Sequence, residues 1–92
     1  MIRSFRCKEA EAILRLESSR RFRNIEQAAY RRLVMLDGAK SLLDLAAIRS
    51  NHLEALAGRR AGQHCIRVND QWRICFVWKD NDAWNVEIVD YH

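Results

Sequence analysis

A chain of 92 residues with 49% hydrophobic content can bury one modest core but not two, so a single domain over residues 1–92 is expected. The N-terminal Met1-Ile2-Arg3-Ser4-Phe5-Arg6 becomes charged too soon for a signal peptide, and no apolar run approaches the roughly 18 residues that span a bilayer, which predicts a cytoplasmic protein with no membrane partner. The net charge is +4 and all 16 basic residues except Lys8, Lys40 and Lys79 are arginines, the side chain suited to planar, bidentate binding of phosphate or carboxylate; an anionic partner and a merely solvated basic surface are the two readings.

In chain order, residues 2–5 are short, end in an aromatic and lack a helical period, which predicts an opening strand. Residues 8–17 carry Ile13, Leu14 and Leu16 among good helix formers and predict a first helix, followed by the basic connector Arg20-Arg21-Phe22-Arg23. Phe22 and Tyr30, close to those arginines, are candidates for contact with a partner. Asn24 followed by Gln27 has capping-box spacing, and Ile25, Ala29, Leu33 and Leu36 recur at helical intervals until Gly38. Ser41 with Asp44 repeats the capping pattern ahead of Leu42, Leu43 and Leu45, predicting one or two further turns.

From Leu53 onward the period becomes two and predicts an antiparallel meander. In residues 72–78 one face carries Trp72, Ile74, Phe76 and Trp78, and the other Arg73, Cys75 and Val77. The last strand sets Trp84, Val86 and Ile88 against Asn85, Glu87, Val89 and Tyr91. A one-residue slip would turn every apolar side chain to the wrong side, so the loops must be odd-numbered. A loop over residues 69–71, with Asn69 and Asp70 in the left-handed region, sets Ile66 opposite Ile74 and Arg67 opposite Arg73. A loop over residues 79–83 sets Trp78 opposite Trp84 and places all three tryptophans in the core. The other face then carries Arg67, Arg73, Cys65, Cys75, Glu87 and Tyr91.

Cys7, Cys65 and Cys75 are odd in number without metal-ligand spacing, and His52, His64 and His92 are scattered, so no metal or other cofactor is expected and the thiols read as small buried hydrophobes. Arginines directly opposed across two strands repel unless an anion lies between them, and Glu87 is a candidate for that anion. A structural Arg–Glu network and a phosphate-binding site are both consistent with the pattern. The terminal Asp90-Tyr91-His92 puts a carboxylate, a phenol and an imidazole in three consecutive positions. Metal-free RNA cleavage needs those groups: a base for the ribose 2′-hydroxyl, an acid for the leaving 5′-oxygen, and cations for the crowded phosphate. His92 with Asp90 suits the base, Tyr91 the orienting or donating group, and Arg60, Arg67 and Arg73 the phosphate, provided the chain bends so that Asp90 and His92 reach the side of Tyr91.

The sequence resembles the HigB, or plasmid-maintenance killer, branch of the RelE/ParE toxins along essentially its whole length. The likeness is carried by Ile2-Arg3-Ser4-Phe5, Leu53-Glu54-Ala55-Leu56, Gly58-Arg59-Arg60-Ala61-Gly62-Gln63, Val68-Asn69-Asp70-Gln71-Trp72-Arg73-Ile74 and Val89-Asp90-Tyr91-His92. The resemblance implies an α+β, RelE-like fold with an N-terminal strand and two helices packed on a curved antiparallel sheet. It also implies ribosome-dependent cleavage of mRNA, a HigA-like helix-turn-helix antitoxin as partner, and operator DNA bound through that antitoxin. The family's active region maps onto Arg60, Arg73, Asp90, Tyr91 and His92, with Arg59 and Arg67 as further RNA contacts. Members commonly have lysine where this chain has Ala57, an acidic residue where it has Arg59, and in some cases histidine where it has Glu54. Loss of that lysine removes a cation that would offset phosphorane charge, although Arg59 adds one nearby. A gyrase poison of the ParE type, or a non-catalytic antitoxin-binding member acting in operon repression, would suit the same fold.

Overall fold

A computed structural model describes residues 1–91 and contains helices α1 (Lys8–Leu14), α2 (Glu26–Gly38) and α3 (Leu42–Ala46), followed by strands β1 (Glu54–Ala55), β2 (Gln63–Arg67), β3 (Trp72–Lys79) and β4 (Asp82–Asp90). The strands pair antiparallel in the order β1-β2-β3-β4, and α1 and α2 pack against each other and on the sheet, the expected α+β arrangement. Ala29, Leu33 and Leu36 of α2 and Ala10 and Ile13 of α1 meet Ile66, Ile74, Phe76, Val86 and Ile88 of the sheet in a buried cluster. Each leucine, isoleucine, valine or phenylalanine among them contributes about 1.5–3 kcal/mol by leaving water. Among the described residues no helix is long and apolar enough to cross a membrane.

The opening segment differs from an ordinary strand. Ile2 and Phe5 make two isolated parallel bridges to Ala83 and Val86, so the segment extends the sheet beyond β4. Arg3 N–H donates to Ala83 O at 2.8 Å and Arg6 N–H to Val86 O at 2.9 Å. Ile2 and Phe5 pack against the core, while Arg3 pairs with Asp82 at 3.0 Å.

The first helix is shorter than its composition suggests. The Cys7 thiol accepts Ala10 N–H at its start, and after Leu14 the chain turns: Leu16 N–H bonds Ile13 O at 3.0 Å and Glu17 N–H bonds Ala12 O at 2.8 Å. That pair of bonds is a Schellman ending with Leu16 in its left-handed position at φ 63°, where glycine is usual, so Leu16 is 77% exposed. The expected Asn24 cap is absent too. A 3-10 turn over Arg23–Ile25 leads directly into α2, whose first residue makes no side-chain cap; Glu26 instead accepts Ser19 N–H at 2.7 Å, tying down the connector. Phe22 is 1% exposed and packs edge-on against Trp72, so it is core and not a contact for a partner. The Ser41 cap is present, its hydroxyl accepting Asp44 N–H at 3.2 Å.

Between β2 and β3 the register is as expected, Ile66 facing Ile74, Cys65 facing Cys75 and Arg67 facing Arg73. The turn is made differently: neither Asn69 nor Asp70 has positive φ, and Asn69 Oδ1 accepts N–H groups from Gln71 at 2.9 Å and Trp72 at 2.8 Å. Between β3 and β4 the expected five-residue loop is replaced by the two-residue turn Asp80-Asn81, at φ 54° and 62°, so that Lys79 faces Asp82. A bulge at Asn85, φ 54°, absorbs the one-residue difference before Cys75 faces Glu87. Its N–H is satisfied by Ser4 Oγ at 2.8 Å. In consequence Trp84 faces Val77 on the far side of the sheet, and Ala83 takes the core position expected for Trp84.

Candidate functional site

The face of the sheet turned away from the helices has an apolar floor under a polar surface. Cys65 and Cys75 form its centre at 1% and 2% exposure. Val68 N–H bonds Trp72 O, and counting in steps of two from there makes Cys65 and Cys75 a non-hydrogen-bonded pair, the kind with the closer side chains. Around this floor stand Glu54 from β1, Arg73 from β3, Glu87 from β4, Arg60 from a 3-10 turn over Gly58–Arg60, and Tyr91 just beyond β4.

Tyr91 lies across this face. Its backbone N–H is held by Gln71 O, its ring stacks under the Arg73 guanidinium with 4.1 Å between guanidinium carbon and ring centroid, and its hydroxyl donates to Glu54 Oε1 at 3.0 Å. The hydrogen bond to Glu54, and then the carboxylate's charge, push the phenol's pKa upward. Cys65 Sγ lies 3.9 Å from the same Glu54 oxygen. The neighbouring Cys75 thiol, and then burial, push the Cys65 pKa upward, whereas the Cys65 thiol lowers that of Cys75 against the opposing effect of burial. The Tyr91 phenol thus touches both a carboxylate and a guanidinium over a buried floor, so phenol and carboxylate can exchange a proton next to a fixed positive charge.

Glu87 is not the anion between the opposed arginines. Its Oε2 lies 3.3 Å from Arg60 Nη1 and 3.7 Å from Arg6 Nη1, while Arg60 Nη1 also donates to Gln63 Oε1 at 3.0 Å. Arg67 pairs with Asp70 and Arg73 Nη1 donates to Asn69 O at 2.5 Å, so each arginine is drawn toward the β2–β3 turn by a separate acceptor. Arg67 also acts on the other flank: burial, and then the charge of Arg67, lower the pKa of Arg32.

Of the residues expected from sequence, Arg60, Arg73 and Tyr91 share this face, and Arg67 sits at its edge beside Arg73. Arg59 is exposed on the same 3-10 turn as Arg60. Asp90 faces Trp72 and accepts Gln71 Nε2 at 3.1 Å, on the side opposite Tyr91 as strand alternation requires. His92 lies outside the described residues. Glu54 and Arg6 belong to the face and were missed. β1 is only two residues long, too short to show alternation, and the approach of Arg6 depends on a parallel pairing that no local pattern encodes.

The profile of a family described as the RelE-like toxin of type II toxin–antitoxin system HigB matches residues 4–92. The chain is 42% identical over 62 residues to Toxin HigB-1 of Vibrio cholerae serotype O1, an alignment covering 67% of this chain and 65% of that protein. It is 30% identical over 63 residues to an uncharacterized protein of Haemophilus influenzae, covering 68% and 62% respectively. The chain thus spans a little under two thirds of the length of these relatives.

Proposed function

The chain belongs to the HigB-like toxins of type II toxin–antitoxin systems, and from that premise we propose that it is a metal-independent endoribonuclease that stops translation by cutting mRNA on the ribosome. The observation that carries this reading is the contact of Tyr91 with both Glu54 and Arg73. A protein that acts only by binding needs no such acid–base pair beside a fixed cation. In the proposed reaction the ribose 2′-oxygen loses its proton to a carboxylate or imidazole base and attacks phosphorus. The bond from phosphorus to the 5′-oxygen breaks, and that oxygen gains a proton. Arg73 offsets the charge that gathers on the phosphoryl oxygens. Tyr91 orients the phosphate or hands the proton to the leaving oxygen, with Glu54 restoring it. His92 is proposed as the base; Asp90, which faces Trp72 on the side opposite Tyr91 and accepts Gln71 Nε2, is not placed to share that role. Arg59, Arg60 and Arg67 hold the RNA backbone, and Arg59 partly makes up for the lysine absent at Ala57.

A type II family implies an antitoxin; here we propose a HigA-like helix-turn-helix protein encoded beside the toxin, through which the pair binds operator DNA. The test is brief expression in bacteria followed by sequencing of RNA 5′ ends. New ends confined to translated regions, growth arrest, and relief by the neighbouring gene product are expected. Tyr91→Phe should slow cleavage by at least about a hundredfold, the size of a lost acid–base group, while the melt falls by no more than the loss of one solvent-exposed hydrogen bond allows. Growth arrest with intact mRNA and inhibited DNA supercoiling would overturn cleavage in favour of gyrase poisoning.

A further inference from the structure

The Arg6–Glu87–Arg60 cluster is distinct from the Tyr91–Glu54–Arg73 group, and it lies across the cysteine floor from Glu54. Glu87 is a neighbour of Cys75 by strand register, and Glu54 a neighbour of Cys65. Two guanidiniums approach one carboxylate oxygen there, so one positive charge is left over. Glu87 is largely sheltered, with 15% side-chain exposure, whereas Arg60 and Arg6 are 39% and 65% exposed. Among the described residues only Nη1 of Arg60 has a protein acceptor, and the Arg6 guanidinium, at 3.7 Å, makes an ion pair without a hydrogen bond. The donors Nη2 and Nε of both arginines therefore remain for a ligand. An Arg fork needs planar acceptor oxygens in pairs, which a phosphodiester supplies.

The placement of Arg6 is built into the fold. Its N–H is held by Val86 O at 2.9 Å, and Phe5 beside it is packed against the core, so the backbone carrying this guanidinium is anchored at the sheet edge. Glu87 lies one residue beyond Val86 on the anchoring strand. A sheltered carboxylate between two exposed arginines holds both in place without neutralising them.

We infer that Arg6 and Arg60, positioned by Glu87, form a second phosphate subsite that binds the RNA backbone one linkage away from the phosphate held at Tyr91 and Arg73. This rests on the reading of that face as an RNA site, but not on cleavage taking place there. Arg6 is thereby a substrate-positioning residue.

The experiment measures direct binding of labelled 2′-deoxy-substituted RNA oligonucleotides, which cannot be cut, having one or three internal phosphates, at several salt concentrations. For Arg6→Ala the expected result is a roughly tenfold weaker affinity for the longer oligonucleotide, the size of a lost hydrogen bond to a charged group, with little change for the shorter. The salt slope for the longer one should fall by about 0.7, one phosphate contact on a single strand. Arg6→Lys should recover part of the affinity, and Arg6→Glu should weaken binding further. Equal loss on both oligonucleotides, or no loss on either with an unchanged slope, overturns the subsite, as does an early melt of Arg6→Ala, which would make the residue structural. Cleavage is read separately through Tyr91→Phe: RNA bound through Arg6 but never cut would overturn the nuclease reading and leave the subsite standing.

Discussion

The Tyr91 hydroxyl reaches Glu54 Oε1 at 3.0 Å although the strand that leads to Tyr91 and the strand that carries Glu54 are the two outermost of β1-β2-β3-β4. The phenol spans the face between them, with Arg73 of β3 over its ring. Acid–base group, carboxylate and cation are therefore brought together by one side chain lying flat across the sheet.

Tyr91 should ionise above the ordinary tyrosine value of 10.0, because hydrogen bonding to Glu54 and the charge of Glu54 favour the neutral phenol. A folded-state pKa above the unfolded one adds stability below pH 10 or so and loses it as pH rises through the folded value. The difference in tyrosinate absorbance between the protein and Tyr91→Phe reports that midpoint. In Glu54→Gln it should move back toward the ordinary value; an unmoved midpoint would mean that the hydrogen bond is not made in solution.

Arg67 and Arg73 face each other across the strands yet should respond differently to truncation. Arg73→Ala removes a hydrogen bond to Asn69 O and a cation–π contact with Tyr91, and is expected to cost about 1–2 kcal/mol. Arg67→Ala removes only an ion pair to Asp70, whose side chain is 99% exposed, and relieves repulsion from Arg73, so stability should change by less than about 0.5 kcal/mol. Urea melts of both variants decide this, and equal destabilisation would show that the two are one structural unit.

Leu16 offers a test of how the first helix ends. A leucine in the left-handed region costs about 1 kcal/mol relative to a permissive residue, and this one is 77% exposed, so Leu16→Gly should leave stability unchanged or raise it by up to about 1 kcal/mol. A helix running on through residue 17 would instead bury this leucine and lose stability on its removal. Thermal melts separate the two.

Asn51, with no exposed surface, accepts Arg32 Nη1 at 2.6 Å and donates to Leu45 O at 3.0 Å, joining α2 to the end of α3. Asn51→Leu leaves the buried Leu45 carbonyl without this partner and Arg32 with only its bond to Ser50 Oγ, and is expected to cost about 1–3 kcal/mol. Adding Arg32→Met should cost less than it does alone, because the bond from Arg32 to Asn51 is already gone. Additive losses in the double variant would mean that the two side chains do not interact.

Periodicity alone was enough to read much of this protein. The buried stripe of Ile25, Ala29, Leu33 and Leu36 follows from helical spacing, and the facing of Arg67 with Arg73 follows from alternation, because either pattern, if shifted, would put apolar side chains in water. The motifs around Arg60, Arg73 and Tyr91, far apart in sequence, fall on one face of the sheet. Tertiary structure decided the rest. Asp80-Asn81 closes a two-residue turn only because Asn85 bulges, and Asn85 bulges where Ser4, some eighty positions earlier, takes its N–H; Trp84 then leaves the core. Glu87 serves Arg60 and Arg6, and not the neighbouring arginines, because the bulged strand and the N-terminal segment meet at that edge. Local sequence specifies which way a side chain points along its own strand, whereas the partner it meets depends on which distant backbone comes to lie beside it.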